Sequence, residues 1–247
     1  MRRRSPCAAS DNWAGAHPEI AARLAAEAGG HTRPYGAGEV DRRVEETFSR
    51  IFEREVAVFF VATGTAANAL ALASVARPGG VVFCHANAHV VEDECGAVEY
   101  LSGGARLAGV AGAAGRITPE AVKAAIGRYP ASFVHAGQPM AVTITQATEA
   151  GTVYALEEIA AIGSVAREAG IPLHMDGARC ANALVSLGAS PAEMTWRRGV
   201  DMVSFGGTKN GCFCAEAVVL FDTARAGEFA FYRKRAAQLF SKSRFIA

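Results

Sequence analysis

One lysine and one aspartate in the chain could act on the same ligand. Lys209 lies in the glycine-rich segment FGGTKNG, straight after the largely apolar residues 199–204, and Asp176 ends another apolar run in the segment HMDGAR. A lysine amine can form a Schiff base, and a carboxylate can keep a pyridine nitrogen protonated. Pyridoxal phosphate chemistry needs this combination, whereas a single lysine taken alone is more often a solvated surface residue.

Two other segments supply groups that suit such a cofactor. In residues 61–72, VATGTAANALAL, an apolar run turns at Gly64 and Thr65 into a helical pattern, and the N–H groups of a helix N-terminus bind phosphate. His89 follows the apolar residues 81–84, where an imidazole could lie on a planar ring or act as a base. An ordinary turn and a structural histidine are the alternatives. Neither a nucleotide P-loop nor a GxGxxG fingerprint is present, so NAD and ATP are not predicted.

The remaining charged and sulfur-containing residues give weaker indications of function. Arg179, three residues after Asp176, could pair with a carboxylate or the cofactor oxygen, or form a structural salt bridge. The acidic cluster of residues 92–94 lacks the spacing of a hydrolase pair and predicts a charged helix N-terminus. Cys212 and Cys214 have no second pair at zinc spacing, so no metal site is predicted.

Short β-branched runs alternate with alanine-rich segments, a pattern typical of an α/β fold. The predicted strands are residues 56–61, 81–84, 142–145, 171–175, 200–205 and 217–221, and the clearest predicted helices are residues 66–76, 119–128 and 154–169. Strands that are apolar on both faces imply a three-layer α/β/α domain with a mostly parallel sheet. Ligands bind beyond the carboxyl ends of such strands, where Lys209, Asp176, His89 and the turn at Gly64 are all expected.

Composition limits the classes of partner. The chain has 247 residues, 51% of them hydrophobic, and a net charge of +1, so it can bury a large core and has no electrostatic reason to bind nucleic acid or a membrane surface. The scattered cysteines predict reduced thiols in the cytoplasm. Residues 225–247 are predicted to form one long helix.

Six segments together resemble the low-specificity L-threonine aldolases, a family of the fold type I, aspartate aminotransferase-like pyridoxal phosphate superfamily. They run in family order over nearly the whole chain: ASDNWAG (9–15), TGTAAN (63–68), AHVVEDECGA (88–97), VTITQATEAGTVY (142–154), HMDGAR (174–179) and FGGTKNG (205–211).

The resemblance implies a role for each candidate residue. Lys209 is the Schiff-base lysine, Asp176 pairs with the pyridine nitrogen, and His89 stacks on the ring. Gly64 and Thr65 hold the phosphate. By the same resemblance, Arg179 contacts the cofactor's phenolic oxygen or the substrate, and Ser10 helps to bind the substrate carboxylate. Tyr35 and Arg244 contribute to the active site of a neighbouring subunit. A homodimer or homotetramer with shared sites is therefore expected.

The implied reaction is the retro-aldol cleavage of L-threonine or L-allo-threonine to glycine and an aldehyde, with His89 taking the β-hydroxyl proton directly or through water. The expected domains are a cofactor-binding large domain at residues 1–222 and a C-terminal helix at residues 223–247. In the family that helix leads to a small domain that this sequence lacks. The alternatives are another fold type I enzyme (a β-eliminating lyase, racemase or aminotransferase) and a truncated cofactor-binding fragment without full activity.

Overall fold

A seven-stranded sheet forms the centre of the protein. The computed structural model describes residues 10–130 and 132–247, so Ala9, the first residue of the segment ASDNWAG, lies outside the described residues. The strands are β1 (Ala57–Val61), β2 (Gly80–His85), β3 (Arg106–Val110), β4 (Gln138–Thr145), β5 (Leu173–Gly177), β6 (Met202–Gly206) and β7 (Glu216–Leu220), arranged in the order β1-β7-β6-β5-β4-β2-β3.

The sheet is mostly parallel, as the sequence predicts. Strands β2 to β6 pair in parallel, whereas β7 lies antiparallel to both β6 and β1. All six predicted strands are present. The seventh, β3, was missed because its sequence RLAGV lacks a β-branched run and it pairs with β2 alone at the sheet edge. Among the strands of the described residues, β7 is therefore the one that runs against the others.

Helices cover both faces of the sheet. They are α1 (Pro18–Glu27), α2 (Glu39–Ile51), α3 (Gly64–Ala73), α4 (His89–Glu92), α5 (Ala97–Leu101), α6 (Pro119–Gly127), α7 (Leu156–Glu168), α8 (Cys180–Leu187), α9 (Pro191–Met194) and α10 (Ala226–Arg235). One core cluster joins α6, α7 and α8 to the sheet, and two others join α3, α5 and α10 to it. The predicted three-layer α/β/α architecture is confirmed.

The C-terminal segment is not the single long helix that the sequence predicts. Helix α10 ends at Arg235, and Ala237 has a left-handed φ of 60°. The amides of Ala237 and Gln238 donate to the carbonyls of Lys234 and Arg233, which is a Schellman ending. Glycine is the usual residue at that left-handed position. Because alanine stands there instead, the stop signal was invisible in the sequence.

No helix among the described residues has the length and apolar character needed to cross a membrane. The five described cysteines, Cys84, Cys95, Cys180, Cys212 and Cys214, are free thiols.

Candidate active site

A cavity of about 320 Å³ lies at the carboxyl ends of the parallel strands. It is lined by six of the predicted residues: Lys209, Asp176, His89, Gly64, Thr65 and Arg179. These residues come from four separate segments of the chain. The common edge of the sheet brings them together, as expected for an α/β fold of this type.

Asp176 is held in a buried position near the end of β5. Its side chain is only 4% exposed, Oδ2 accepts a hydrogen bond from Asn68 Nδ2 at 2.8 Å, and Oδ1 accepts one from the Ala178 amide at 3.0 Å. A buried carboxylate is costly unless it is hydrogen-bonded or paired with a positive charge. The two bonds offset part of that cost and leave room for a cationic partner in the cavity.

The strand residue two positions before Asp176 supports it from within the sheet. His174 is fully buried, with Nδ1 2.8 Å from Thr143 Oγ1 and Nε2 2.9 Å from Ser204 Oγ. Burial lowers the pKa of His174 to about 4. The imidazole is therefore neutral near pH 7 and adds no positive charge beneath Asp176.

A tight loop after β6 places Lys209 in the cavity. Gly206 packs so closely on the backbone of Ala178 that a Cβ atom there would lie 2.6 Å from its carbonyl oxygen. Asn210 Nδ2 donates to the Gly206 carbonyl at 3.0 Å, and Gly211 follows with a φ of 95°. The glycines around Lys209 are thus required by close contact and by a left-handed turn.

The N-terminus of α3 forms the opposite wall. Thr63 caps this helix, its Oγ1 accepting from the Ala66 amide at 3.0 Å. The amides of Gly64 and Thr65 belong to the first helical turn, where no intrahelical acceptor exists. They and the helix dipole make this wall suitable for an anion.

His89 belongs to a hydrogen-bond network that the sequence did not predict. Its Nδ1 donates to Glu94 Oε1 at 2.8 Å, and Asn68 Nδ2 donates to the same oxygen at 2.8 Å. Glu94 lies between α4 and α5, and its side chain is 0% exposed. The prediction of a charged helix N-terminus is therefore wrong for Glu94, although its neighbours Glu92 and Asp93 are exposed.

Two shifted pKa values follow from this network. The hydrogen bond that His89 donates to Glu94 raises the pKa of His89 above its usual value, against the opposing effect of burial. Burial raises the pKa of Glu94, against the hydrogen bonds from His89 and Asn68. The two side chains thus share a proton more readily than isolated groups would.

Glu216 is a further cavity residue that the sequence reading missed. It is the first residue of β7, between the ends of β1 and β6, where it faces Val61 and Gly206 in the two ladders. Its Oε1 accepts from the Thr208 amide at 3.2 Å, and Oε2 lies 3.8 Å from the position that a Cβ would take on Gly64. Burial raises the pKa of Glu216.

Arg179 points to a charged partner at the N-terminal end of the described chain. It donates to Asp11 through Nε at 2.7 Å and through Nη2 at 3.1 Å. Ser10 precedes Asp11, and its Oγ accepts from the Asn12 amide at 3.2 Å. Ser10 does not line the cavity, whereas Asn12 does.

Tyr35 and Arg244 lie away from this cavity. The chain segment of each residue contacts the segment of the other. The Tyr35 amide donates to the Ser241 carbonyl at 3.1 Å, and Arg244 Nη1 donates to the Gly30 carbonyl at 3.5 Å. Tyr35 is 52% exposed. Within one subunit neither residue joins the predicted set.

Comparison with known proteins agrees with this fold and site. Residues 9–247 match the family described as beta-eliminating lyase. The low-specificity L-threonine aldolase of Pseudomonas aeruginosa is 45% identical over 240 residues, which cover 97% of this chain and 68% of the relative. The protein of the same name from Pseudomonas sp. (strain NCIMB 10558) is 43% identical, with the same coverage. A solved structure of Leishmania major threonine aldolase superposes with a TM-score of 0.89 at 26% identity, covering 96% of this chain and 68% of that one.

The sheet order and the cavity at its carboxyl edge are those of an α/β enzyme of fold type I. The chain belongs to the beta-eliminating lyase family and, within it, to the low-specificity L-threonine aldolases, a group of pyridoxal phosphate enzymes. It is shorter than both of the Pseudomonas relatives.

Proposed function

We propose that this protein is a pyridoxal phosphate-dependent aldehyde-lyase that cleaves L-threonine and L-allo-threonine to glycine and acetaldehyde. The observation that carries this proposal is the meeting of Lys209 with the buried carboxylate of Asp176 in one cavity. The Pseudomonas relatives bear the name of this activity and are 45% and 43% identical to this chain.

The residues of the cavity fit the cofactor. A phosphate group needs unpaired donors, which the amides of Gly64 and Thr65 provide at the start of α3. A pyridine nitrogen that stays protonated needs a buried anion, which Asp176 provides. Lys209 supplies the amine for covalent attachment, and His89 lines the same cavity. Pyridoxal phosphate bound here would supply the sink for the electrons of the broken Cα–Cβ bond.

Proton transfer is assigned to His89. The bond from Nδ1 to Glu94 leaves Nε2 as the ring nitrogen available to a ligand. A neutral Nε2 can take the proton from the β-hydroxyl group of the substrate, directly or through one water molecule. Loss of that proton allows the β-carbon to leave as an aldehyde, and the remaining carbon takes up a proton to give glycine.

The substrate carboxylate is assigned to the side of the cavity that holds Arg179. The guanidinium of Arg179 donates two hydrogen bonds to Asp11 and has further N–H groups that can bind the substrate carboxylate. We assign Ser10 to the same end of the substrate, because it lies next to Asp11. By orienting the substrate, these groups would favour cleavage of the Cα–Cβ bond over cleavage of the competing bonds.

We also propose a homodimer or homotetramer in which Tyr35 and Arg244 reach the cavity of a neighbouring subunit. Their positions outside the cavity of their own subunit support this arrangement. Residues 1–222 are proposed as the cofactor-binding large domain and residues 223–247 as the segment that follows it. A cytoplasmic location is proposed from the free thiols of the described cysteines.

Product analysis with L-threonine tests the proposed activity. Purified protein loaded with pyridoxal phosphate should release glycine and acetaldehyde, and Lys209→Ala should release neither. Formation of 2-oxobutyrate would instead identify a β-eliminating lyase. Bound cofactor without any turnover would identify a cofactor-binding fragment and contradict the proposal.

A further inference from the structure

Glu94 is a buried acid whose neighbours in the chain are all exposed. Its side chain is 0% exposed, whereas Glu92, Asp93 and Cys95 are at the surface. Removing a carboxylate from water costs several kcal/mol unless other groups compensate it. An acid kept in such a place must therefore have specific partners, and the structure provides two of them.

The first partner is His89. A carboxylate can only accept hydrogen bonds, so the contact of 2.8 Å between Glu94 Oε1 and His89 Nδ1 requires the proton to be on Nδ1. In the neutral ring, Nε2 then carries the lone pair. His89 is also fixed through its backbone, since its amide donates to Glu149 Oε1 at 2.8 Å. The ring is thus held at Nδ1 and the backbone at its amide, which leaves Nε2 as the nitrogen available to the cavity.

The second partner is Asn68, whose amide group links two carboxylates. Its Nδ2 donates to Glu94 Oε1 and to Asp176 Oδ2, both at 2.8 Å. An NH₂ group has two hydrogens, so both are used. Within the described residues, Asn68 Oδ1 and Glu94 Oε2 are buried without a hydrogen-bond partner. The position of Glu94 is therefore set by the two bonds that Oε1 accepts from His89 and Asn68, although Oε2 has no partner.

We propose that Glu94 is a positioning residue that holds the His89 ring with Nδ1 protonated and Nε2 facing the ligand, while Asn68 keeps this pair at a fixed place beside Asp176. The proposal rests on the proposed function insofar as His89 is the base. Glu94 itself does not line the cavity. Its effect is on the tautomer, orientation and basicity of His89.

Nitrogen-15 NMR of the histidine rings tests this without any turnover. The signal of His89, assigned by its loss in His89→Gln, should report the Nδ1–H tautomer in the wild-type protein. The charged groups around the ring are Glu94, Asp176, Lys209 and Glu149. Of these, Glu94 makes the direct bond. Glu94→Gln should therefore lower the pKa of His89, because it removes the charge that stabilises the imidazolium ion.

Asp93→Asn is the matched control. It removes one negative charge from the adjacent, exposed residue and should leave the titration of His89 unchanged. Glutamine keeps the size of Glu94 and an acceptor at Oε1, and thermal unfolding would verify that the variant folds. If it does not fold, the tautomer measured in the wild-type protein decides alone, since an Nε2–H signal would overturn the proposal.

Kinetics supply the second readout. A base must be neutral to act, so activity is lost below the pKa of His89, and Glu94→Gln should move that loss to lower pH. We expect kcat/KM at its optimum to fall about 10- to 100-fold, the size found when the carboxylate partner of a metal-bound histidine is removed. Combined with His89→Gln, the substitution should cost little more, because Glu94 acts through His89.

The outcomes are distinguishable from failure of the proposed function. A pKa of His89 that falls in Glu94→Gln but not in Asp93→Asn supports the proposal even if the protein does not cleave threonine. Identical titration of His89 in the wild-type protein and Glu94→Gln would refute it. Equal losses from Glu94→Gln with and without His89 would refute it as well.

Discussion

Arg179 and Asp11 form a two-point ion pair although 168 residues separate them in the chain. The guanidinium donates to both carboxylate oxygens, at 2.7 and 3.1 Å. This pair ties the N-terminal segment to the wall of the cavity. Arg179 is thus oriented before any substrate arrives, and hydrogen bonding to it lowers the pKa of Asp11.

Asp11→Asn should raise KM for threonine several-fold with a smaller effect on kcat, because the guanidinium loses the partner that orients it. Both side chains are about one-third exposed, so the loss of stability should stay within about 1 kcal/mol. Because the pKa of Asp11 is lowered, the pair contributes stability above the ordinary aspartate pKa and loses it as the pH falls. The difference in Tm between the proteins should therefore shrink in acid. Glu19→Gln, at an exposed residue of the same region, should change neither quantity.

Borohydride reduction of the protein with pyridoxal phosphate should attach the cofactor to Lys209, as read by peptide mapping. Lys209 lines the cavity, whereas Lys123 lies in the exposed part of α6. Lys123→Ala should leave the labelling intact, and Lys209→Ala should abolish it. Label on Lys123, Lys234 or Lys242 instead would show that the assignment of the cavity is mistaken.

Asp176→Asn should retain bound cofactor but slow turnover by at least about 100-fold. The neutral amide cannot stabilise a protonated ring nitrogen, and about 3 kcal/mol lost from a buried charge pair corresponds to that factor. Absorbance spectroscopy would report binding, and product release would report kcat. The exposed residue Asp222 offers the control Asp222→Asn. If Asp176→Asn turned over threonine at a near-native rate, the role of Asp176 would be structural only.

As the pH rises, inorganic phosphate should lose affinity for the cofactor-free wild-type protein relative to its affinity for Glu216→Gln. The pKa of Glu216 is raised by burial, so the group is neutral at low pH and becomes an anion beside Gly64 at higher pH. Calorimetric titrations at several pH values would measure the effect. Phosphate changes its own charge in the same way with both proteins, so the comparison cancels that contribution. Glu149→Gln, on the side of the cavity near His89, should have less influence. Parallel curves for the wild type and Glu216→Gln would place phosphate elsewhere.

Mixing Arg244→Ala with Lys209→Ala should restore activity that neither variant has alone. In a mixed dimer, one site receives Arg244 from one subunit and Lys209 from the other, so it contains both. Light scattering should first show that the wild-type protein is at least a dimer. A soluble monomer, or a mixture as inactive as its components, would remove the roles proposed for Tyr35 and Arg244.

The predicted part of the site consists of residues that directly follow apolar runs. Lys209, Asp176, His89 and the turn at Gly64 could be placed because each lies just beyond or at the end of a strand, and a parallel sheet collects such positions at one edge. No comparable signal marks Asn68, which lies inside α3, or Glu94, which stands among other acids. Asn68 contacts Glu94, 26 residues away in the chain, and Asp176, 108 residues away. The hydrophobic periodicity of the sequence predicts helices and strands, but it does not predict contacts between residues so far apart in the chain.

The reversed direction of β7 has a consequence for how the chain can vary. Because β7 alone runs against the other strands, its first residue rather than its last lies beside the cavity, and Glu216 reaches the site from the beginning of its strand. Side chains alternate between the two faces of a strand, so a shift of β7 by one residue against β1 and β6 would turn the carboxyl group of Glu216 to the opposite face. The end of β7 at Leu220 lies at the opposite end of the strand from the cavity. The register of β7 with its two neighbours therefore determines whether Glu216 reaches the site.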